Sequence, residues 1–379
     1  MNEQLVAEAL ERRAEDVQPR HLGFEEVRAR AHGIRRRRRT VAAGAAAAVV
    51  AAVLIVPGLV GGTPRSSGPE PAPPSPVDRV VFLHDGQVHL PGGRTVGVDL
   101  DTRDVLQLGV LDDGRIVVAT SRPRAVQVFS PDGDRQAVHR VAVNTITMSA
   151  DDHLVAWTDD SFTVQVLEGG VAEPVALSGI PLPGESFPTL DGVVGARCGE
   201  GGCTVWGGDG TTTSAAATAE GPLKLATAEP LRISDVSTDG DRWAVSFPAA
   251  DGEQYGCSGL YDVEADRVTD RSCATSGLRF APDGEHLLGM RGDNQMYGEV
   301  EVYDRQLRQV LVYDPEGRRV VKSASWADDT HLLVVTADLS EDPAWQLLRV
   351  PVDGGAPETV VGPVDGPDAE AGSAFVLAE

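Results

Sequence analysis

The sequence lacks the short motifs that mark the commonest enzyme active sites. It contains no G-x-S-x-G nucleophile elbow, no P-loop and no G-x-G-x-x-G fingerprint, which argues against serine hydrolases, P-loop nucleotidases and dinucleotide-dependent oxidoreductases. Its histidines and cysteines show no zinc-type spacing, such as two C-x-x-C motifs. We therefore predict a protein that is not an enzyme, with no catalytic residues, no metal ligands and no cofactor.

Positive charge is also scarce. The chain has 33 Lys and Arg against 57 Asp and Glu, a net charge of −24, and only Lys224 and Lys322 are lysines. The first 40 residues are the exception, since they hold ten Arg against seven acidic residues. Because an acidic protein repels the phosphate backbone, we predict no nucleic-acid partner.

Cysteine is confined to the second half of the chain, where it forms two local pairs. Cys198 and Cys203 flank the glycine-rich turn GEGG, and Cys257 and Cys273 lie on segments that read as the two arms of one hairpin. An even number of locally paired cysteines favours two disulfides, Cys198–Cys203 and Cys257–Cys273, over a metal site. This pattern also indicates an oxidising compartment.

Long apolar runs are absent with one exception. Residues 40–60, TVAAGAAAAVVAAVLIVPGLV, carry no charge, and a helix of this length spans about 31 Å, close to the roughly 30 Å hydrocarbon core of a bilayer. We predict a transmembrane helix here. The positive-inside rule places the N-terminus in the cytoplasm and residues 78–379 outside, because the helix follows Arg35, Arg36, Arg37, Arg38 and Arg39. A cleaved signal peptide is the alternative, although GLVGGTPRSS offers no Ala-x-Ala site.

The segments on either side of this helix differ in character. Residues 61–77 are rich in proline and predict an extended, semi-rigid linker. Residues 1–39 carry two apolar stripes at helical spacing and predict an amphipathic helical head in the cytoplasm. Three roles stay open for this head: it sets the topology, binds a cytoplasmic protein, or lies on the inner leaflet. Its candidate partner-binding residues are Val6, Leu10, Phe24, Val27 and Ile34.

From residue 78 onward the sequence predicts only β-structure, because short Val- and Leu-rich runs alternate with Gly, Asp and Pro turns. One phrase recurs, in which a strand end, a tight Asp turn and a second strand follow one another. Its copies are VLDDGRIVVAT, MSADDHLVAWT, PTLDGVVGARC, VSTDGDRWAVSF, FAPDGEHLLGM and SWADDTHLLVV. Their turn aspartates are Asp113, Asp151, Asp191, Asp239, Asp283 and Asp328. These lie 38 to 48 residues apart, which is the length of a four-stranded propeller blade.

Each blade should also contain an outer hairpin. Midway turns such as VYDPEGRRV and VPVDGGAPE are predicted to form it. The Asp turns themselves have a structural interpretation, because Asp caps the turn and Gly accepts a positive φ. We favour that interpretation over a catalytic or calcium-binding one.

The two ends of the β-domain complement each other. The first segment, RVVFLHDGQVHL, has no apolar strand and Asp turn before it, whereas GSAFVLAE, residues 372–379, is an apolar strand with no partner after it. We predict that 372–379 pairs with Val80 to Leu83, which closes a ring and covers both edges. The predicted fold is an all-β, seven-bladed β-propeller over residues 78–379, with six or eight blades as alternatives.

Two further residue types have competing interpretations. The five tryptophans are predicted to pack between blades rather than to form a sugar-binding surface. His153, His286 and His331 each follow an Asp turn on a different blade. We therefore predict separate positions at strand starts, not a shared metal site.

The phrases FAPDGEHLL, SADDHLVAW and WADDTHLLV resemble the S-P-D-G repeat of TolB-like and WD-repeat-like propellers, over about residues 80–379. The resemblance implies a ring that binds a protein, peptide or envelope ligand at its face or channel. The order of head, anchor, Pro-rich linker and propeller is similar to that of actinobacterial single-pass membrane proteins. In layout alone it also resembles membrane anti-sigma regulators.

The predicted function is a membrane-anchored, extracytoplasmic propeller that acts as a non-enzymatic binding or scaffold module. The first alternative is a transmembrane signalling regulator whose head binds a cytoplasmic factor. The second is an envelope glycan hydrolase or lyase, which would need clustered carboxylates at one mouth of the channel.

Overall fold

The computed structural model describes residues 80–180, 189–225, 227, 229–247, 256–273, 275–293, 296–340, 343–369 and 372–378. They belong to one compact unit, Pro76–Glu379. The predicted head (1–39), transmembrane helix (40–60) and linker (61–77) lie outside the described residues, so they stay predictions. Within the described ranges the helices are three-residue 3-10 turns, and none is long and apolar enough to cross a bilayer. These turns are Pro91–Gly93, Thr102–Asp104 and Cys198–Glu200.

The described part of the chain forms 28 strands in seven antiparallel blades of four, and one backbone pair, Tyr297 opposite Val321, joins the fifth and sixth blades into a single sheet. The chain starts with three strands of blade 7: β1 (Phe82–His84), β2 (Gln87–Leu90) and β3 (Arg94–Gly97). Blade 1 is β4 (Val105–Val110), β5 (Ile116–Ser121), β6 (Arg124–Phe129) and β7 (Arg135–Arg140). Blade 2 is β8 (Thr147–Met148), β9 (Leu154–Thr158), β10 (Val164–Glu168) and β11 (Val175–Ala176). Blade 3 is β12 (Thr189–Gly195), β13 (Cys203–Gly208), β14 (Thr213–Ala217) and β15 (Leu223–Lys224).

The second half of the ring follows the same plan. Blade 4 is β16 (Arg232–Val236), β17 (Arg242–Ser246), β18 (Ser258–Asp262) and β19 (Arg267–Ser272). Blade 5 is β20 (Ser276–Phe280), β21 (His286–Asp293), β22 (Met296–Asp304) and β23 (Gln309–Tyr313). Blade 6 is β24 (Arg319–Asp328), β25 (His331–Asp338), β26 (Ala344–Pro351) and β27 (Glu358–Asp365). The final strand, β28 (Val376–Leu377), completes blade 7.

The first strand of blades 1 to 6, and β28 in blade 7, is the innermost strand and lines the central channel. Neighbouring innermost strands run parallel, as the bridge between Leu108 and Ala378 shows for blades 1 and 7. The ring therefore has two different faces. We call the face where the innermost strands begin the upper face, and the face where they end the lower face.

The two ends of the described domain close the ring as predicted. β28 pairs antiparallel with β1, and Phe82 lies opposite Leu377 while Leu83 lies opposite Val376. Phe375, just before β28, is buried and meets the Phe82 ring edge-on, with centroids 6.0 Å apart. Since blade 7 takes one strand from the end of the chain and three from the start of the domain, the seven-bladed propeller is confirmed.

The core lies between the blades. Trp206 of blade 3 approaches Trp243 of blade 4, with ring centroids 5.2 Å apart, and Trp243 stacks on Tyr261. Trp157 and Trp345 are fully buried. These tryptophans pack inside the propeller, as predicted, because a blade has two apolar faces that its neighbours must cover.

Five of the six predicted Asp turns lie on the lower face, directly after an innermost strand. In blade 5, Asp283 accepts the Glu285 N–H at 2.8 Å. Gly284, with φ +71°, donates its N–H to the Ala281 carbonyl at 2.8 Å. The turns thus have the structural role that their sequence predicts.

The predicted turn at Asp191 is wrong. Asp191 lies inside β12, where a β-bulge falls between Leu190 and Gly192. Its buried carboxylate accepts hydrogen bonds from the Thr213 hydroxyl at 2.8 Å and from Arg232 Nε at 3.0 Å. Partners from β14 and β16 therefore hold this Asp-Gly pair in the strand, and the turn follows at Cys198–Glu200.

The assignment of VYDPEGRRV to an outer hairpin is also wrong. This segment, residues 312–320, connects β23 to β24 and so links blade 5 to blade 6. The outer hairpin of blade 5 turns at Asp304, whose N–H donates to the Arg308 carbonyl at 3.0 Å.

Both predicted disulfides are present. Cys198 and Cys203 close the turn between β12 and β13 in blade 3. Cys257 and Cys273 join the open ends of the β18–β19 hairpin in blade 4. Each link lies within one blade, so neither one holds the ring shut.

Removing the disulfides is expected to weaken single blades without opening the ring. Loop-closure entropy predicts a loss of about 2 kcal/mol for the double variant C198S/C203S and about 3 kcal/mol for C257S/C273S, because the second loop is longer. Denaturant titration of the free energy of unfolding checks both values. Peptide mapping without reductant should recover the same two links, and a link between the two pairs would contradict the blade boundaries.

Candidate functional site

A cavity of about 430 Å³ opens in the channel towards the upper face. It lies between blades 5, 6, 7 and 1, whose innermost strands and the segment before β28 form its walls. Its lining contains no Asp or Glu among the described residues. The lining residues are Val105, Leu106, Gln107, Arg279, Met290, Lys322, Ser323, Ala324, Ser325, Ala369, Gly372, Ser373, Phe375, Val376, Leu377 and Ala378.

The cavity has two chemically different walls. Blades 5 and 6 contribute polar side chains, among them Arg279, Lys322 and Ser323. Blades 7 and 1 contribute mainly apolar ones, among them Val376 and Leu106, with Gln107 and Ser373 as the polar exceptions. An innermost strand normally buries its leucines, yet Leu106 is 46% exposed, so this wall offers apolar surface to anything that enters.

β-Bulges in the innermost strands determine which side chains point towards the channel. Register shifts leave at least one extra residue in the innermost strand of five blades. A bulge re-aims the side chain of its extra residue, so these positions are suited to contacts outside the blade. The extra residues include Leu106 in β4, Asp191 in β12, Ser234 in β16 and Lys322 in β24, and β20 has one between Ser276 and Arg279.

Lys322 reaches across the boundary between blades 6 and 7. Its Nζ donates a hydrogen bond to the Ala369 carbonyl at 2.5 Å, in the segment that leads to β28. Asp191 makes the corresponding link between blades 3 and 4 through Arg232. Burial raises the pKa of Asp191 in spite of the favourable charge of Arg232 beside it.

Polar contacts or a bridge join each innermost strand region to the next, so the channel wall is continuous. The carboxylate of Asp235, for example, accepts the Phe280 N–H at 2.7 Å and joins blades 4 and 5. This continuity makes the cavity largely pre-formed, as ligand sites usually are. The other links are Ile146 N to Gln107 Oε1, Thr147 Oγ1 to Leu190 O, Arg232 to Asp191, Trp326 Nε1 to Arg279 O, Lys322 to Ala369 O, and the Leu108–Ala378 bridge.

The lower face carries a second polar cluster, centred on His153. The His153 Nδ1 lies 2.7 Å from Asp112 Oδ2, and its Nε2 lies 3.2 Å from Glu168 Oε1. The same Glu168 carboxylate accepts the N–H groups of Arg197 and Cys198 at 3.0 and 3.2 Å. The cluster therefore joins the lower-face turns of blades 1, 2 and 3.

The charges of this cluster shift its pKa values. The hydrogen bond that His153 makes to the Asp112 carboxylate has the largest effect and raises the pKa of His153. Burial opposes this, and the hydrogen bond to Glu168 adds to the increase. Partial burial of the carboxyl, together with the charges of Asp151 and Asp112, raises the pKa of Asp152 to about 6, although the residue keeps an open side to solvent. The carboxylates of Glu168 and Asp151 accept N–H groups of neighbouring turns, so the arrangement favours a structural role.

Substitution of His153 tests this role through the pH dependence of stability. A raised pKa means that protonated His153 stabilises the fold below about pH 6.5, and that this contribution is lost as the pH rises through the folded value. We therefore expect H153Q to lower the melting temperature more at pH 5.5 than at pH 8. Thermal unfolding of both proteins at both pH values measures the difference.

His139 provides a control of opposite sign. It lies against the Trp157 ring, with centroids 5.0 Å apart, and burial lowers its pKa although Glu173 opposes the shift. Neutral His139 therefore stabilises the fold at high pH and loses that effect in acid. H139Q should lower the melting temperature more at pH 8 than at pH 5.5, and the same pH trend in both variants would contradict these assignments.

The residues singled out by the sequence fall into three groups. The four cysteines form the predicted disulfides, whereas the head residues and Arg35 to Arg39 lie outside the described residues. His153, His286 and His331 lie on blades 2, 5 and 6, so the structure does not bring them together. Across the described ranges no group of three or more His, Cys, Asp or Glu could hold a metal ion. The sequence analysis did not predict the cavity or the bulged residues. The one sequence feature that could have drawn attention to Lys322 is the rarity of lysine, since Lys224 is the only other one in the chain.

No protein-family model matches the chain, and no curated protein is similar to it in sequence. Among solved structures, a putative TolB from Agrobacterium tumefaciens is 11% identical, with a TM-score of 0.39 over 62% of this chain and 87% of that chain. The β-propeller domain of Cps50 (Swd1) from Myceliophteria thermophila is 9% identical, with a TM-score of 0.49 over 71% and 88%. Likenesses at such low identity concern the fold alone, and the propeller itself follows from the strand pairing.

Proposed function

We propose that this protein is a non-enzymatic binding module whose ligand enters the channel cavity from the upper face. The observation that carries the proposal is the two-walled cavity between blades 5, 6, 7 and 1. The apolar surface of Leu106 and the polar side chains opposite it provide both parts of a typical ligand site, and the inter-blade contacts hold the walls in place. A glycan hydrolase gains no support, because none of the described lining residues is a carboxylate.

Blocking the cavity tests this function. L106W fills the channel with a larger apolar side chain that adds no charge. V138W makes a similar change on the outermost strand of blade 1, where Val138 is also exposed. We expect affinity capture from native membranes with full-length protein to lose its ligand with L106W and to keep it with V138W. Equal capture by the wild type and both variants would contradict binding in the channel.

We further propose that the propeller lies outside the cell membrane, held by the apolar segment 40–60. Two observations support this location: the arginines that precede this segment, and the two disulfides, which persist in oxidising compartments.

Protease accessibility tests the orientation. Protease added to intact spheroplasts should remove residues 78–379 and spare the head, and a reporter that works only outside the membrane should be active when fused after Glu379. Protection of the propeller would overturn the proposed orientation, whatever the propeller binds.

The two apolar stripes of residues 1–39 favour a second candidate function, that of a transmembrane signalling regulator. Isolated stripes of this kind fold on a partner or on a membrane surface. Separate captures with the head and with the propeller distinguish the two functions. A cytoplasmic protein that is retained by the head, and lost when Phe24 and Val27 are changed to Asp, would support signalling.

A further inference from the structure

The channel cavity has a charge opposite to that of the protein around it. The chain carries 57 acidic residues against 33 basic ones, yet both charged side chains in the cavity lining, Arg279 and Lys322, are cationic. A positive charge inside a concave site of an acidic protein interacts strongly with a charged ligand, because the surrounding protein screens it less than water does. Because Arg279 has a further interaction partner, Lys322 is the cation through which the lining favours anions.

Lys322 is the best-placed of these cations. It is the extra residue of the β24 bulge, and its single described hydrogen bond goes to the Ala369 carbonyl at 2.5 Å. An ammonium group has three donors, so this bond leaves two for a ligand. Among the residues that the structure describes, no carboxylate lies within 4 Å of Nζ, and a carbonyl oxygen does not neutralise the charge.

Neutral polar side chains line the same cavity as Lys322. The hydroxyls of Ser323 and Ser325 lie on the same strand as Lys322 and line the same wall. The Gln107 carbonyl oxygen accepts the Ile146 N–H at 2.7 Å, which orients the amide. Hydroxyl and ammonium donors together are the usual partners of carboxylate and phosphate oxygens.

The opposite wall limits what else the ligand can be. Leu106, Val376 and Leu377 line the side of the cavity formed by blades 7 and 1, and they would be poor neighbours for a ligand that is polar throughout. A volume of about 430 Å³ suits a compact molecule or one terminal group of a larger molecule.

Resting on the proposed function, we infer that the cavity binds an amphipathic anion. A carboxylate or phosphate group lies against Lys322 and the serine hydroxyls, and an apolar body lies against Leu106. The cation supplies the preference for charge, and the leucine side supplies affinity that does not depend on charge.

The test uses full-length protein in lipid nanodiscs and three fluorinated probes followed by ¹⁹F NMR. The probes are 4-(trifluoromethyl)benzoate, its phosphonate analogue and the neutral 4-(trifluoromethyl)benzamide, which share one apolar body. We expect at least one anion to bind at least tenfold more tightly than the amide. The two anions distinguish carboxylate from phosphate recognition, and empty nanodiscs measure partition into lipid.

K322M is the main variant, and K224M is its matched control, because Lys224 is the other lysine and lies exposed on β15. K322M should weaken binding of the anion at least tenfold and leave the amide unchanged, whereas K224M should change neither. If K322M does not fold, K322R should retain the preference for anions, and binding of the anion to the wild type should weaken as salt is raised.

The possible results separate this inference from the proposed function. Equal binding of amide and anion, or an anion affinity that is indifferent to K322M, overturns anion recognition but leaves the channel as a binding site. If L106W retains its ligand in the capture experiment, the proposed function fails, whatever the probes show.

Discussion

Deletion of residues 372–379 is expected to lower the melting temperature by roughly 10 °C or more, or to prevent folding. The deletion removes β28 together with the buried side chains of Phe375 and Leu377, and it exposes Phe82 and Leu83 of β1. Fully buried side chains of this size contribute about 1.5–3 kcal/mol each. The combined loss is comparable to the whole stability of many domains, which is about 5–15 kcal/mol. Thermal unfolding and light scattering measure the loss of stability and any aggregation through the exposed edge.

Two point variants in the same segment separate closure from local effects. F375A should cost about 3–5 kcal/mol, because it empties a buried site. S373A removes only hydrogen bonds between the Ser373 hydroxyl and the backbone of Phe375, and it should cost about 1 kcal/mol. An unchanged melting curve after the deletion would contradict the closure of the ring by β28.

The variant D328A is expected to cost about 3–5 kcal/mol, because it leaves the buried charge of Arg349 with only the exposed Glu358 carboxylate, 4.0 Å away. Asp328 Oδ2 lies 2.6 Å from Arg349 Nη2, and the side chains are 15% and 3% exposed. Partial burial of Asp328 opposes ionisation, but hydrogen bonds from Thr330, His331 and Arg349 hold its pKa below the ordinary value. The ion pair therefore stabilises the fold at neutral pH and loses this effect only in strong acid.

Two comparisons make this prediction specific. Asp283 occupies the matching turn of blade 5, where its carboxylate accepts the Glu285 N–H, so D283A should cost only about 1 kcal/mol. The double variant D328A/R349M removes both charges and should recover much of the stability that D328A loses. If D328A and D283A cost the same in urea titrations, the buried charge of Arg349 does not have the effect assigned to it.

The sequence predicted the blades because each blade depends on local chemistry. Asp-Gly turns are encoded within four residues, and their repetition at blade length revealed the ring. The closure of the ring was predictable for a similar reason, since 372–379 and 80–83 were the two strands left without partners. The disulfides followed from cysteines only 5 and 16 residues apart.

The cavity could not be predicted in the same way, because its walls come from distant parts of the chain. Leu106, Arg279, Lys322 and Val376 meet only when four innermost strands stand side by side. Bulges are equally hard to foresee, since they depend on the register between two strands. At Asp191 the local Asp-Gly signal was misleading, because Arg232 and Thr213 compete for the carboxylate that would otherwise cap a turn.

Because β1 pairs with β28, it stays without this partner strand for most of the synthesis of the propeller. Phe82 cannot meet Leu377 until about 295 more residues have been added, which takes about 15–60 s at common rates of translation. During this interval six blades can form one after another, while the edge of β1 stays open and able to pair with another chain. The nascent propeller therefore keeps an open edge until Val376 and Leu377 have been made, and their pairing with β1 covers that edge in a single step.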